Sequence, residues 1–333
     1  MVKYWAAVAA LILGLITPRA QAADDVVKIG VVRSLAQAAY YVALEKGYFA
    51  EAHIKLDDSS FSGGQEMTSS LATGQLDIGL GAFNAGFFNA ANQGLDLRAV
   101  AALGSQPHPV IATPPLVRKD LWDNGTIRSG KDLKGRKVAV NTPGATPEFT
   151  LSLILEKYGM TLKDVDETMI GFPQMVIALK NKAVDVAFVS EPFATIALKE
   201  GASVILAPEA GTTAGDITTV VFASGKFMRD RPQVLERFLG AVLRGAKFTR
   251  DAYNKNPAIA ALLSKGTGIK QDVVEAATAF AFDPNLDIEH FTDSIRRQEI
   301  QHMKDGRLNY KTPIAMDKIV DATFIKKAMA SPQ

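Results

Sequence analysis

The chain contains no cysteine. That excludes disulfides, thiolate nucleophiles, cysteine-bound metal and anchoring through a lipid-modified N-terminal cysteine. Histidine is scarce as well. His53, His108, His290 and His302 are scattered and form no H-x-x-x-H pair, so a catalytic zinc site is not expected. His108, between Pro107 and Pro109, reads as structural. No run of Lys or Arg occurs and the net charge is +2, so nucleic acid is not an expected partner. Neither G-x-S-x-G nor G-x-x-x-x-G-K-[ST] is present. Gly79-Leu80-Gly81 precedes a helical stretch, but Asn84 stands where a dinucleotide fingerprint needs its third glycine. Those glycines are expected to serve close packing, and no cofactor is expected.

The N-terminus is different in kind. Met1-Val2-Lys3 is a short basic start, residues 4–16 are apolar, and Ala20-Gln21-Ala22 is an A-x-A cleavage site. This is the layout of a secretory signal peptide, and the apolar run is shorter than the roughly 20 residues a membrane span requires. Residues 1–22 are expected to be removed, leaving a mature protein free in the periplasm. Without Lys3 and Arg19 its basic and acidic residues balance.

Beyond residue 22 the chain nearly repeats itself. Met67-Thr68-Ser69-Ser70-Leu71-Ala72-Thr73-Gly74-Gln75-Leu76-Asp77-Ile78-Gly79 reads like Met175-Val176-Ile177-Ala178-Leu179-Lys180-Asn181-Lys182-Ala183-Val184-Asp185-Val186-Ala187. Lys28-Ile29-Gly30-Val31 likewise pairs with Lys137-Val138-Ala139-Val140, and Leu44-Glu45-Lys46-Gly47 with Leu155-Glu156-Lys157-Tyr158-Gly159. Each copy reads strand, helix, strand, helix, strand. The spacing of about a hundred residues is far longer than the roughly 20 to 50 of a solenoid repeat. Two α/β lobes are expected, with a ligand cleft between them. Residues 23–108 and 222–333 are assigned to lobe one and residues 109–221 to lobe two.

Strands are expected at 26–32, 54–56, 76–80 and 98–103, and again at 137–140, 184–189 and 204–206. A strand at 218–223 should return the chain to lobe one. The proline-rich stretch 104–115, with a strand-like middle at Val110-Ile111-Ala112, reads as the outward crossover. Helices are expected at 39–50, 233–253, 257–265, 271–281 and 293–304. Ser62 with Gln65 suggests a capping box, and Thr146-Pro147-Glu148 a helix start with Thr146 as N-cap.

In an open parallel sheet, ligands bind at the carboxyl ends of the strands. Here those ends carry small polar residues leading into helices: Arg33, Ser34 and Gln37; Ser62, Gly63 and Gly64; Ala82, Phe83 and Asn84; Thr142, Gly144, Ala145 and Thr146; Ser190 and Glu191. Free N–H groups at helix starts suit an anion or a polarised oxygen. Glu191 either pairs with a cation or faces the cleft, where it would favour an amine or other N–H donor. Arg33 is either its partner or a binder of acidic groups. Phe83, Phe87, Phe88 and Phe172 are candidates for apolar walls or for core.

Four of these stretches carry a resemblance. Tyr41-Val42-Ala43-Leu44-Glu45-Lys46-Gly47-Tyr48-Phe49, Leu71-Ala72-Thr73-Gly74-Gln75-Leu76-Asp77-Ile78-Gly79, Asp132-Leu133-Lys134-Gly135-Arg136-Lys137-Val138-Ala139-Val140 and Ser190-Glu191-Pro192-Phe193 are similar to motifs of one group. It is the periplasmic solute-binding proteins of ABC importers for nitrate, sulfonate, taurine and thiamine precursors (NMT1/THI5-like). The resemblance runs over about residues 26 to 250. It implies a type II periplasmic-binding fold, with two lobes of mostly parallel sheet joined by two crossovers. It also implies a monomer that traps a small anionic or zwitterionic solute and hands it to an inner-membrane permease and ATPase. The ligand role passes to Ser34, Gly63, Gly81, Asn84, Thr142, Thr146 and Glu191. The alternatives are a solute-sensing partner of a signalling receptor and a pyrimidine-precursor enzyme on the same fold. The enzyme's cysteine-rich motif is missing here.

Overall fold

A computed structural model of the protein describes residues 24–249, 255–282 and 287–330. The expected signal peptide and the end of the helix expected at 233–253 lie outside the described residues. Ten strands form two sheets. They are β1 (Asp25–Val32), β2 (Ile54–Phe61), β3 (Ile78–Gly81), β4 (Leu97–Ser105), β5 (Pro115–Arg118), β6 (Lys137–Val140), β7 (Asp166–Met169), β8 (Val186–Phe188), β9 (Ser203–Ile205) and β10 (Ile217–Ser224).

The sheet orders are β2-β1-β3-β10-β4 and β7-β6-β8-β5-β9. These are one topology used twice. In each sheet four strands run the same way and the fourth in order is reversed. The reversed strand is the first one reached on passing from the other lobe: β5 comes after the outward crossover and β10 makes the return. The result is a two-lobed type II periplasmic-binding fold. The boundary expected at 221/222 falls inside β10.

The structure gives the repeat a physical reason. Asp77 donates its N–H to the Lys28 carbonyl (2.9 Å) and accepts the Lys28 N–H on its carboxylate (2.9 Å). Asp185 makes the same pair with Lys137, at 2.8 and 3.1 Å. Each aspartate thereby clamps the start of one parallel strand to its neighbour, which fixes the register Ile29↔Ile78 and Val138↔Val186. A guanidinium backs each one, Arg231 at 3.7 Å and Arg118 at 3.1 Å.

Packing obeys the two-residue period of a sheet covered on both faces. In lobe two, Val138, Val140, Val186 and Phe188 pack with Leu151, Ile154 and Leu155 on one face. Ala139 and Ala187 turn to the other, where the core is continuous with lobe one. The C-terminal part returns to lobe one. Helix Pro232–Thr249 packs on helix Ala38–Glu45, and helix Thr323–Ala330 packs on Pro232–Thr249.

Several local expectations are corrected. The helix expected at 39–50 breaks at Gly47, whose φ is +76°, into Ala38–Glu45 and Tyr48–Glu51. β2 is longer than expected because its exposed Asp57, Asp58, Ser59 and Ser60 lie on a sheet edge. Val110-Ile111-Ala112 is not a strand, and Pro115–Arg118 is. Gly63, not Ser62, is the N-cap of helix Gly64–Ala72. Ala145 caps helix Thr146–Lys157, with Thr146 as its first residue. The helix expected at 271–281 ends at Ala276 because Ala281 pairs instead with Ser105. The helix expected from 293 starts at Ile288, capped by Asp287.

Candidate functional site

The carboxyl ends of β1, β3, β6 and β8 meet at a small chamber between the lobes. Its volume is about 40 Å³. Lobe one supplies Ser34, Gln37, Gly64 and Ala82; lobe two supplies Asn141, Ala145, Thr146 and Ser190. Thr113 and Thr218, from the two crossovers, complete it. Phe172 and Val32 form the wall it shares with a wider mouth of about 250 Å³, bordered by Arg33, Phe61, Ser62, Gln174 and Phe193. A larger groove of about 530 Å³ lies on lobe two beside edge strand β7. Its lining comes from that lobe alone, whereas the chamber is walled by both.

No charged side chain lines the chamber among the described residues. Its polar groups are five hydroxyls (Ser34, Thr113, Thr146, Ser190, Thr218) and two amides (Gln37, Asn141). The Gln37 amide satisfies its neighbours with its NH₂ toward the Val32 carbonyl (3.0 Å), the Ser34 carbonyl (3.0 Å) and Ser34 Oγ (2.8 Å). Ser34 Oγ also accepts the Ala36 N–H at 3.1 Å. Ser34 Oγ is thus engaged by Gln37 and by the Ala36 N–H at the chamber wall. Thr218 Oγ1 lies 3.2 Å from Thr146 Oγ1. Asn141 Oδ1 is buried without a hydrogen-bond partner.

The backbone adds directed positive charge. In helix Thr146–Lys157, Pro147 has no N–H and Phe149 donates to the Ala145 carbonyl at 2.9 Å. The amides of Thr146 and Glu148 therefore have no acceptor in the helix. Helices Gly64–Ala72 and Phe172–Lys180 also begin at the chamber wall. Helix starts from both lobes thus face one small volume, an arrangement suited to an anionic or strongly polarised group.

The expected site residues divide into four sets. Ser34, Gln37, Gly64, Gly81, Ala82, Ala145, Thr146 and Ser190 line the chamber. Arg33 and Ser62 border the mouth; Arg33 is half exposed and lies 3.5 Å from Asp58.

Gly63, Thr142 and Gly144 make contacts between lobes. A Cβ at Gly63 would collide with Thr142 Oγ1, and a Cβ at Gly144 would fall 2.5 Å from the Ala85 nitrogen. Gly144 also has φ +69°, and its N–H donates to Glu148 Oε2 at 2.5 Å, so that amide is already used.

Phe83, Asn84 and Glu191 serve the fold. Phe83 packs against Phe87, Phe88 and Phe222 at ring distances of 5.0 to 5.3 Å. Asn84 Oδ1 caps helix Ala85–Asn92 through the Phe87 N–H at 3.1 Å.

Glu191 is buried with its carboxylate filled. It accepts the Thr195 N–H (2.9 Å), the Thr195 hydroxyl (3.0 Å) and the Thr278 N–H (3.0 Å). Burial raises its pKa, and those donors oppose the rise. Arg33 is not its partner. The crossover threonines Thr113 and Thr218 are not among the expected residues. Their only sequence signal is position, since both crossovers must pass the base of a cleft.

Residues 35–255 match the family model described as NMT1/THI5 like. The chain belongs to the NMT1/THI5-like family. Solved structures agree on the fold at low identity. The alkanesulfonate-binding protein SsuA of Xanthomonas axonopodis pv. citri, bound to MOPS, is 17% identical with a TM-score of 0.71, over 87% of this chain and 97% of that one. The periplasmic nitrate-binding protein NrtA of Synechocystis PCC 6803 is 15% identical with a TM-score of 0.73, over 92% and 89%. The desulfurization enzyme DSZB shares the fold too, at 17% identity and a TM-score of 0.61, over 91% and 99%. Within this family, then, the chain has the fold of solute-binding proteins, and that fold also carries an enzyme.

Proposed function

We propose that this NMT1/THI5-like protein is the periplasmic substrate-binding component of an ABC-type importer. It closes its lobes on a small anionic or zwitterionic organic solute and delivers it to a membrane permease, as a monomer and without chemistry of its own. The observation that carries this reading is the chamber, walled by both lobes and both crossovers and lined by uncharged hydrogen-bonding groups. Such a site can desolvate a polar head group and meet it with hydroxyls and helix-start amides. One water position takes about 10–15 Å³, so the chamber admits a head group of only a few heavy atoms. The mouth, with Phe61, Phe172 and Phe193, takes the rest of the molecule. The lack of a charged side chain among the described chamber residues also speaks against general acid–base catalysis.

The test is a thermal-shift screen of refolded protein against small carboxylates, sulfonates, amino-sulfonates, nitrate and pyrimidines. A solute of this class should raise the melting temperature in a concentration-dependent way. Stabilisation by none of them, or turnover of a bound one, would overturn the proposal.

A further inference from the structure

Arg307 lies outside the cleft, in the C-terminal part of lobe one just past helix Ile288–Lys304. Its guanidinium crosses to lobe two, 2.6 Å from Glu148 Oε1 and paired also with Glu167. Glu148 is fully buried in the first turn of helix Thr146–Lys157. Its other oxygen accepts the Gly144 N–H. Gly144 belongs to the loop 141–146, whose Asn141, Ala145 and Thr146 line the chamber. An unbroken chain of contacts therefore joins lobe one, through Arg307 and Glu148, to the binding loop of lobe two.

The same seam continues outward. Ser152 Oγ donates to Asp305 at 2.7 Å, and Lys304 lies 3.1 Å from Glu156. His302, fully buried, sits between Phe88 of lobe one and Phe149 of lobe two, 6.0 Å from each ring. None of these groups touches the chamber. Burial and the nearby Glu167 raise the Glu148 pKa, and Arg307 and the Gly144 N–H act against them. Without Arg307, Glu148 would keep its desolvation cost and lose its main compensation.

We propose that Arg307 is a positioning residue that, through Glu148, favours the closed arrangement of the lobes and fixes the 141–146 loop within it. Its effect on binding rests on the reading of the cleft as a solute site. Its effect on closure does not. Such a contact raises the population of the closed arrangement independently of solute, which reduces the affinity loss of selecting a rare state.

The chain's lack of cysteine makes the test direct. The exposed Ser59 and Lys163, one on each lobe, are replaced as Ser59→Cys and Lys163→Cys and spin-labelled. Interlobe distance is measured on protein refolded to strip any co-purified molecule. The expected result is a short-distance population in the parent, its shift to longer distance in Arg307→Met, and its recovery in Arg307→Lys. Lys304→Glu, at a half-exposed site on the same seam, should give a smaller shift in the same direction. A parent with no short-distance population, or an Arg307→Met population that matches the parent, overturns the proposal. If Arg307→Met does not fold, an unshifted Lys304→Glu overturns it. In protein purified without refolding, native mass spectrometry should show at least tenfold less co-purified small molecule on Arg307→Met. If the parent carries none and the thermal-shift screen finds no binder, the solute reading fails, while the distances still decide the latch.

Discussion

His302 shows how a single buried group sets a pH limit. Burial, with Arg307 nearby, lowers its pKa to about 4, against the opposing pull of the Gly144 backbone. The folded protein therefore binds this proton more weakly than the unfolded chain. Its contribution is intact above the ordinary histidine value of 6.5 and is lost as pH falls toward 4, by up to roughly 3 kcal/mol. His302→Phe, between Phe88 and Phe149, should flatten that part of the stability–pH curve in urea titrations from pH 7 to 4. An unchanged slope would assign the acid sensitivity elsewhere. Glu191 is the second such case. Glu191→Gln replaces one acceptor oxygen by an NH₂ facing donors, so stability should drop by about 1–3 kcal/mol. A variant as stable as the parent would show that the three hydrogen bonds contribute little. From sequence alone Glu191 is undecided between ligand and partner, because the donors that fill it come from Thr195 and from Thr278, which is 87 residues away.

At the scale of elements, the repeat is legible because one physical task recurs. A helix ends, the chain reverses, and an aspartate pins the next parallel strand. The two copies differ at the reversal. Gly74 has φ +72°, while Lys182 holds φ +60° with a side chain in a region that favours glycine. Lys182→Gly should leave stability equal or raised by up to about 1 kcal/mol, whereas Lys182→Val should cost about 1–2 kcal/mol. Equal effects from the two substitutions in urea unfolding would remove backbone strain as the cause. Edge strands are harder to read. β2 presents polar residues to water, and β5 begins with proline inside a proline-rich segment, so neither shows the apolar pattern of a central strand. The chamber's polar loops are visible because strand ends leading into helices announce themselves by Ser, Thr and Gly. Thr113 and Thr218 are not, because a threonine in a crossover carries no such local sign.

For the whole molecule the central question is closure around a solute. Gly63 has φ −163°, an extended conformation open to any residue, so a side chain there does not strain lobe one. The collision it creates is with Thr142 of the opposite lobe. Gly63→Val should therefore keep the parent's melting temperature and enlarge the radius of gyration in small-angle scattering. A compact Gly63→Val would mean that the seam tolerates the extra atoms. The claim that the chamber is the solute site is tested most directly by native mass spectrometry of gently purified parent beside Ser190→Leu. Ser190 lines the chamber, and a leucine there fills most of its volume of about 40 Å³. The parent should carry a small organic molecule that dissociates on unfolding, and folded Ser190→Leu should carry none. The same bound mass at the same occupancy in both proteins would place the solute elsewhere and overturn that claim.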